Sequence, residues 1–232
     1  MRTTTRLRNR AACTVALLWA VGCTAVAAYE TKEVYGALGL ETSEVLSGTI
    51  LEAKVLPGGA KQVICVATYL TGKKEKADAV NVRMAVFNNF GNGLVTVYAR
   101  DFGSEQGGYV ANGDLQLLDL DLDRVNEIVV SFDLYNDPLI DQRIGEVISY
   151  RDAGFDALWV GPMEYDATKA ARSVPTERRD RFTREIDYSN TLRTRGVTLF
   201  MNKKMIAVAG ENLAQPRVVQ ETFPLRASSD YR

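Results

Sequence analysis

Four carboxylates stand two or four residues apart between Asp119 and Val130, in the run Asp-Leu-Asp-Leu-Asp-Arg-Val-Asn-Glu-Ile-Val-Val. Oxygen ligands at alternate positions let a chain wrap a hard cation, and a further carboxylate closes the far side. On that pattern Asp119, Asp121, Asp123 and Glu127 supply side-chain oxygens at the first, third, fifth and ninth places. The carbonyl of Val125 takes the seventh, and calcium is the ion such a loop expects. A second account needs no ion. Leu118, Leu120 and Leu122 alternate with Leu117, Asp119, Asp121 and Asp123, the pattern of an amphipathic strand running into an Arg-Val-Asn turn. Arg124 would then pair with a neighbouring aspartate, a surface interaction worth about 0–1 kcal/mol.

Other chemistries are narrowed by composition. The chain of 232 residues contains no histidine. That excludes a Ser-His-Asp triad, a Cys-His pair and any His-ligated zinc, copper or iron site. The cysteines are Cys13, Cys23 and Cys65, and the last lies in the apolar run Gln62-Val-Ile-Cys-Val, where a thiol behaves as a small buried hydrophobe. Carboxylate chemistry, Lys or Tyr bases, or no catalysis remain. Asp137, Asp141, Asp152 and Glu164 are acids that a glycan hydrolase working through two carboxylates would need, and each reads equally well as a solvated turn residue.

The amino terminus points to export. Arg2, Arg6, Arg8 and Arg10 precede an apolar stretch from Ala11 to Ala28 that ends in small residues, the pattern of a secretory signal peptide. Ala25-Val-Ala and Val26-Ala-Ala both fit a cleavage site, so residues 1–28 are expected to be removed, leaving a periplasmic or extracellular protein. Ala20-Val-Gly-Cys23 offers a lipobox-like alternative that would lipidate Cys23 and tether the chain to a membrane. Removing four arginines leaves 28 − 4 = 24 basic residues against 29 acidic ones, a net charge of −5. An acidic chain argues against nucleic acid as a partner. With Cys65 alone, no internal disulfide forms, and stability must come from a core, for which about 200 residues suffice.

The elements that position the acidic run are strands. Short β-branched or aromatic segments occur at 49–56, 62–70, 79–87, 93–99, 114–122, 127–135, 144–150 and 155–160, many of them parted by Gly- and Pro-rich turns. This predicts an all-β, antiparallel, meandering fold. Gln62–Tyr69 resembles Asn126–Asp133, and Val82–Gly91 resembles Glu146–Phe155, an offset of about 64 residues. The pattern divides residues 29–232 into a single β-rich domain with two blade-like units, about 47–100 and 114–161, and a C-terminal segment, 164–232. In that segment Ser173-Val-Pro-Thr-Glu begins a short helix or a charged excursion near 173–187. Val197–Met201 and Met205–Ala209 read as a hairpin about Asn202-Lys203, with a last strand from Arg217 to Leu225 and Pro224 near its end or on an edge.

With Ile128-Val-Val after it, the acidic run resembles the FG-GAP (integrin-like, VCBS) β-propeller repeat, whose loop reads Asp-x-Asp-x-Asp-Gly-x-x-Asp before an apolar strand. The resemblance covers about a dozen residues, or about 45 with the following strands. It implies a calcium-binding loop at Asp119, Asp121, Asp123, Val125 and Glu127, and blades that serve adhesion or ligand contact. Two positions depart from the pattern. Arg124 stands where the family has a glycine at positive φ, and Glu127 replaces the closing aspartate. Two units are too few for a propeller of about four blades, so a β-sandwich of the same meanders is the alternative closure. The expected function is an exported, non-enzymatic binding or scaffold protein that contacts a protein or cell-envelope component; the alternatives are a carboxylate-dependent glycan hydrolase and an envelope lipoprotein. Trp159, in an apolar strand, is expected in the core.

Overall fold

The computed structural model describes residues 29–71, 80–91, 93–103, 109–135, 140–169, 175–176 and 179–225. The predicted signal peptide, Cys23 and Asp137 lie outside them. Among the described residues no helix is long and apolar enough to cross a membrane.

The described residues are mostly antiparallel β, in two open sheets. The first is a meander of β1 (Val45–Ala53), β2 (Gln62–Leu70), β3 (Val80–Asn89) and β4 (Leu94–Asp101). The second contains β5 (Tyr109–Leu118), β6 (Glu127–Tyr135), β7 (Asp141–Arg151), β8 (Gly154–Asp166), β9 (Arg181–Ile186), β10 (Thr198–Val208) and β11 (Glu211–Pro224), each beside its sequence neighbour. Helix α1 (Thr31–Ala37) precedes β1, and α2 (Tyr188–Arg193) joins β9 to β10.

Alternation along the strands makes three cores. Ile64, Val66, Val82, Met84 and Val86 face Ile128, Val130, Phe132 and Ile148, so the first sheet packs on β5–β7 as a sandwich. Residues of the opposite parity in β2 and β3, namely Val63, Cys65, Ala67, Ala85 and Phe87, pack under Val34, Tyr35 and Leu38 of the α1 region. Strand β2 is therefore buried on both faces, which explains why it reads as a continuous apolar run. Burial pushes the Cys65 thiol up to about 12, so it stays protonated. The third core lies on the far face of β6–β8. There Val129, Val147, Leu158 and Trp159 meet Leu199, Met201, Phe223 and Leu225, because β10 and β11 roll back over the sheet. Trp159 is in this core, as expected, and its ring sits over Gly161, where a Cβ would lie 2.8 Å from the indole.

Sheet to sheet, Arg100 of β4 reaches the fully buried Glu146 of β7 at 2.6 Å. A carboxylate in such a place persists only because it is paired.

Of the short helix or charged excursion expected near 173–187, residues 173–174 and 177–178 lie outside the described residues; Arg181–Ile186 forms β9, and a short helix follows at Tyr188–Arg193. One expectation for the C-terminal segment is corrected. The hairpin does not turn at Asn202-Lys203. Residues 198–208 form one strand, since Asn202 and Lys203 have ladder partners on both sides: Glu185 and Arg184 in β9, Gln220 and Val219 in β11. Lys203 also lies over the Phe182 ring at 4.2 Å and reaches Glu221 at 3.5 Å, which makes a lysine favourable in mid-strand. The turn falls at Ala209-Gly210, both with positive φ, as a two-residue hairpin loop requires.

Candidate functional site: the acidic loop

Strand β5 ends at Leu118, and the predicted alternation ends with it. Leu120 remains buried, but Leu122 is turned out to 59% exposure by a backbone at φ 65°. Arg124 also adopts the left-handed region, with φ 69°. The chain therefore makes a loop and not a longer strand. Holding Arg124 in this region costs about 1 kcal/mol for a residue with a side chain.

Hydrogen bonds within the loop explain how this conformation persists. One Asp119 oxygen accepts from the Arg124 amide at 3.1 Å, Asp121 from the Asp123 amide at 3.2 Å, and Asp123 from the Val125 amide at 2.6 Å. Outside the loop, the Tyr188 hydroxyl of α2 donates to the Asp119 carbonyl at 3.0 Å. The left-handed Gly196 presses against Asp121, and a Cβ there would lie 2.7 Å from the Asp121 Cβ. The loop is thus pinned to the element that begins the rolled layer.

Three of the predicted ligands come together. One oxygen from each of Asp119, Asp121 and Asp123 lies within 4.8 Å of the others. Calcium–oxygen distances of about 2.3–2.6 Å place two ligands of one ion at most about 5 Å apart, so this spacing fits a shared cation. Asp119 Oδ1 is buried and has no hydrogen-bond partner among the described residues. Burial, with the charges of Asp123 and Asp119, raises the Asp121 carboxyl above its ordinary value despite the opposing Asp123 amide bond.

Glu127 does not join them. It is buried at the start of β6, where one oxygen accepts from the Leu120 amide at 2.8 Å and the other from the Ser149 hydroxyl at 3.2 Å. Burial drives its carboxyl up to about 7, opposed by the Leu120 and Ser149 bonds and assisted by the charge of Asp121. The Val125 amide serves Asp123, and no ion pair forms to the Arg124 guanidinium among the described residues. Arg124 therefore meets Asp119 through its backbone. Nothing in the residue pattern distinguished a closing ligand from an inward staple at Glu127. The only available signal was its position as first residue of a strand whose odd members, Glu127 and Val129, point toward the rolled layer.

A second concave surface lies at the opposite end of β6, about 26 Å along the strand from Glu127. This groove of about 350 Å³ is lined by Asp133, Asp141, Arg143, Glu164, Asp166 and Arg181, with Tyr135 and Tyr165. Asp133 pairs with Arg143 at 2.9 Å, Asp166 with Arg181 at 3.3 Å, and Asp141 with Lys169 at 3.3 Å. Burial raises the Asp166 carboxyl, but two hydrogen bonds from Thr168 and the Arg181 charge outweigh it, so the group lies below its ordinary value. Tyr109 and Tyr135 stack at 4.7 Å beside the groove, both substantially exposed. Of the four acids considered from sequence, Asp141 and Glu164 lie here, and Asp152 sits in the β7–β8 turn.

The chain matches no protein-family model, no curated protein and no solved structure.

Proposed function

We propose that the chain is an exported, non-enzymatic β-rich binding or scaffold protein, with a degenerate FG-GAP-like loop that acts as a structural brace. One observation carries the reading of the loop: its closing acid, Glu127, holds the Leu120 amide and Ser149 instead of facing the three aspartates. The loop keeps the left-handed backbone of a calcium loop while its carboxylates hold its own amides. Any cation bound by Asp119, Asp121 and Asp123 is therefore held weakly. The groove with its exposed, stacked tyrosines supports ligand contact, because aromatic faces offer binding area at little entropic cost.

Melting the protein in millimolar calcium and in chelator tests the loop. For a Kd of about 1 mM and about 2 mM calcium, ligand linkage gives about 0.7 kcal/mol, or a rise of about 2–3 °C for a domain of this size. A shift of ten degrees or more would sink the brace reading in favour of a working calcium site. Hydrolysis of a glycan that disappears in the Asp141→Asn, Glu164→Gln double variant would overturn the non-enzymatic reading.

A further inference from the structure

We propose that one end of the sandwich is a membrane-docking face, on which Phe90, Leu122 and Val197 enter the interface of a phospholipid bilayer. Neither the groove at the other end nor an ion at the acidic loop is needed for this contact.

Single exposed apolar residues are ordinary on a protein surface, whereas a group of them at one place marks a contact. Val197 at 68%, Phe90 at 65% and Leu122 at 59% are three of the four most exposed large hydrophobic residues among the described residues. The fourth, Val218, lies in β11. None of the three belongs to a strand whose alternation would turn it outward. Each sits in a turn with left-handed backbone. Gly91 follows Phe90 with φ 80°, Leu122 itself has φ 65°, and Arg195 and Gly196, at 50° and 67°, precede Val197.

The three turns are neighbours. Gln62 Nε2 donates to Asn88 Oδ1 at 3.2 Å, which sets the β3–β4 turn beside the β1–β2 loop. The Asn126 amide donates to the Lys54 carbonyl at 2.7 Å and so joins that loop to the acidic one. Gly196 in turn packs against Asp121. All three tips therefore share the end of the sandwich where β6 begins.

Each tip also has a cation at its base. Arg124 follows Leu122 by two residues, and Arg195 precedes Val197 by two. Lys61 adjoins Gln62, whose ladder partner Asn88 lies two residues before Phe90. All three cations are exposed and form no ion pair among the described residues. Apolar side chains on separate turns do not make the continuous dry centre of a protein interface. Each can, however, enter the headgroup–acyl boundary by itself while its cation stays among the phosphates. Asp119, Asp121 and Asp123 offset part of the positive charge, so the apolar tips supply most of the attraction.

The chain also enters the fold at this end. The side-chain amide of Asn89, next to Phe90, donates to the Tyr29 hydroxyl. The apolar stretch Ala11–Ala28 therefore joins the sandwich beside the Phe90 tip. Cys23 stands 29 − 23 = 6 residues before Tyr29, a reach of about 20 Å at most. A lipid carried there would bring this end, and not the groove, to the bilayer.

Partition of the full chain onto vesicles of equal parts phosphatidylcholine and phosphatidylglycerol, in chelator, tests the face. Quenching by brominated phospholipid reports which end meets the bilayer. Phe90→Trp and Val197→Trp should be quenched beyond the parent's own tryptophan signal, and Tyr109→Trp, beside the groove, should not. A triple variant, Phe90→Ser, Leu122→Asn and Val197→Thr, changes only exposed side chains, and asparagine tolerates the left-handed position. It should melt like the parent and partition about tenfold or more weakly. A parent that stays free of the vesicles would overturn the proposal and leave the tips to a protein partner. So would quenching of Tyr109→Trp equal to that of the tips. Unchanged partition of the triple variant, the result expected if residues 1–28 alone carry the chain to lipid, would overturn it as well. The single tryptophan variants decide the matter even if the triple variant fails to fold.

Discussion

Replacing Glu127 by glutamine should stabilise the protein above neutral pH and leave it nearly unchanged in acid. The carboxyl is raised from 4.5 to about 7 in the folded state. Below pH 4.5 Glu127 is protonated in both states, and its contribution is at its most favourable. Between 4.5 and 7 the unfolded chain releases the proton while the folded one holds it, so stability falls as pH rises. Above 7 both states are ionised and the loss is complete. A shift of about 2.5 pKa units corresponds to about 3 kcal/mol, an upper figure for a group that keeps two hydrogen bonds. Glutamine preserves the geometry: its oxygen accepts from the Leu120 amide, and its amide group donates to the Ser149 hydroxyl oxygen. Urea unfolding of both proteins at pH 5, 6, 7 and 8 measures the difference, in which other titrating groups cancel. The variant should gain about 1–3 kcal/mol over the parent between pH 5 and 8, with the gain levelling off above 7. Parallel stability curves across that range would refute the assignment of Glu127 as a buried, reluctantly ionised staple.

Arg124→Gly should raise stability by about 0.5–1 kcal/mol by relieving a left-handed backbone, seen as a melting rise of about 1–4 °C; a lower melting temperature would mean the guanidinium stabilises the loop. Arg100→Ala removes the 2.6 Å partner of the fully buried Glu146 and should cost about 3–5 kcal/mol in chemical denaturation; an unchanged unfolding midpoint would refute the pair's structural role.

Much of the fold was legible because period-2 patterning survives wherever one face of a strand is buried. Where both faces are buried the signal is a continuous apolar run instead, and the segments at 62–70 and 127–135 match β2 and β6 residue for residue. The C-terminal segment was misread where charge and burial combine. Lys203 reads as a turn residue until Phe182 and Glu221 are placed beside it, and those contacts join elements far apart in the chain. The same limit applies to the acidic run. Spacing identified the three aspartates that converge, but the fate of Glu127 depends on Ser149, a residue of β7 that only the sheet register brings within reach.

Position also explains why the loop would keep its shape without depending on an ion. The acidic loop joins a strand of the central sandwich to its neighbour, and it is also the surface on which the rolled layer lands, through Tyr188 and Gly196. A flexible loop there would free Gly196 and the α2–β10 turn, and with them the approach of Leu199 and Met201 to the third core. Left-handed Leu122 and Arg124 are unfavourable alone, yet together they curl the chain so that Leu120 stays buried and the Asp119 carbonyl meets Tyr188. Three carboxylates forced together by that curl repel one another, and amide bonds at each of them offset the repulsion. Selection for the roll would therefore retain the aspartates for their hydrogen bonds, with the closing ligand free to turn inward.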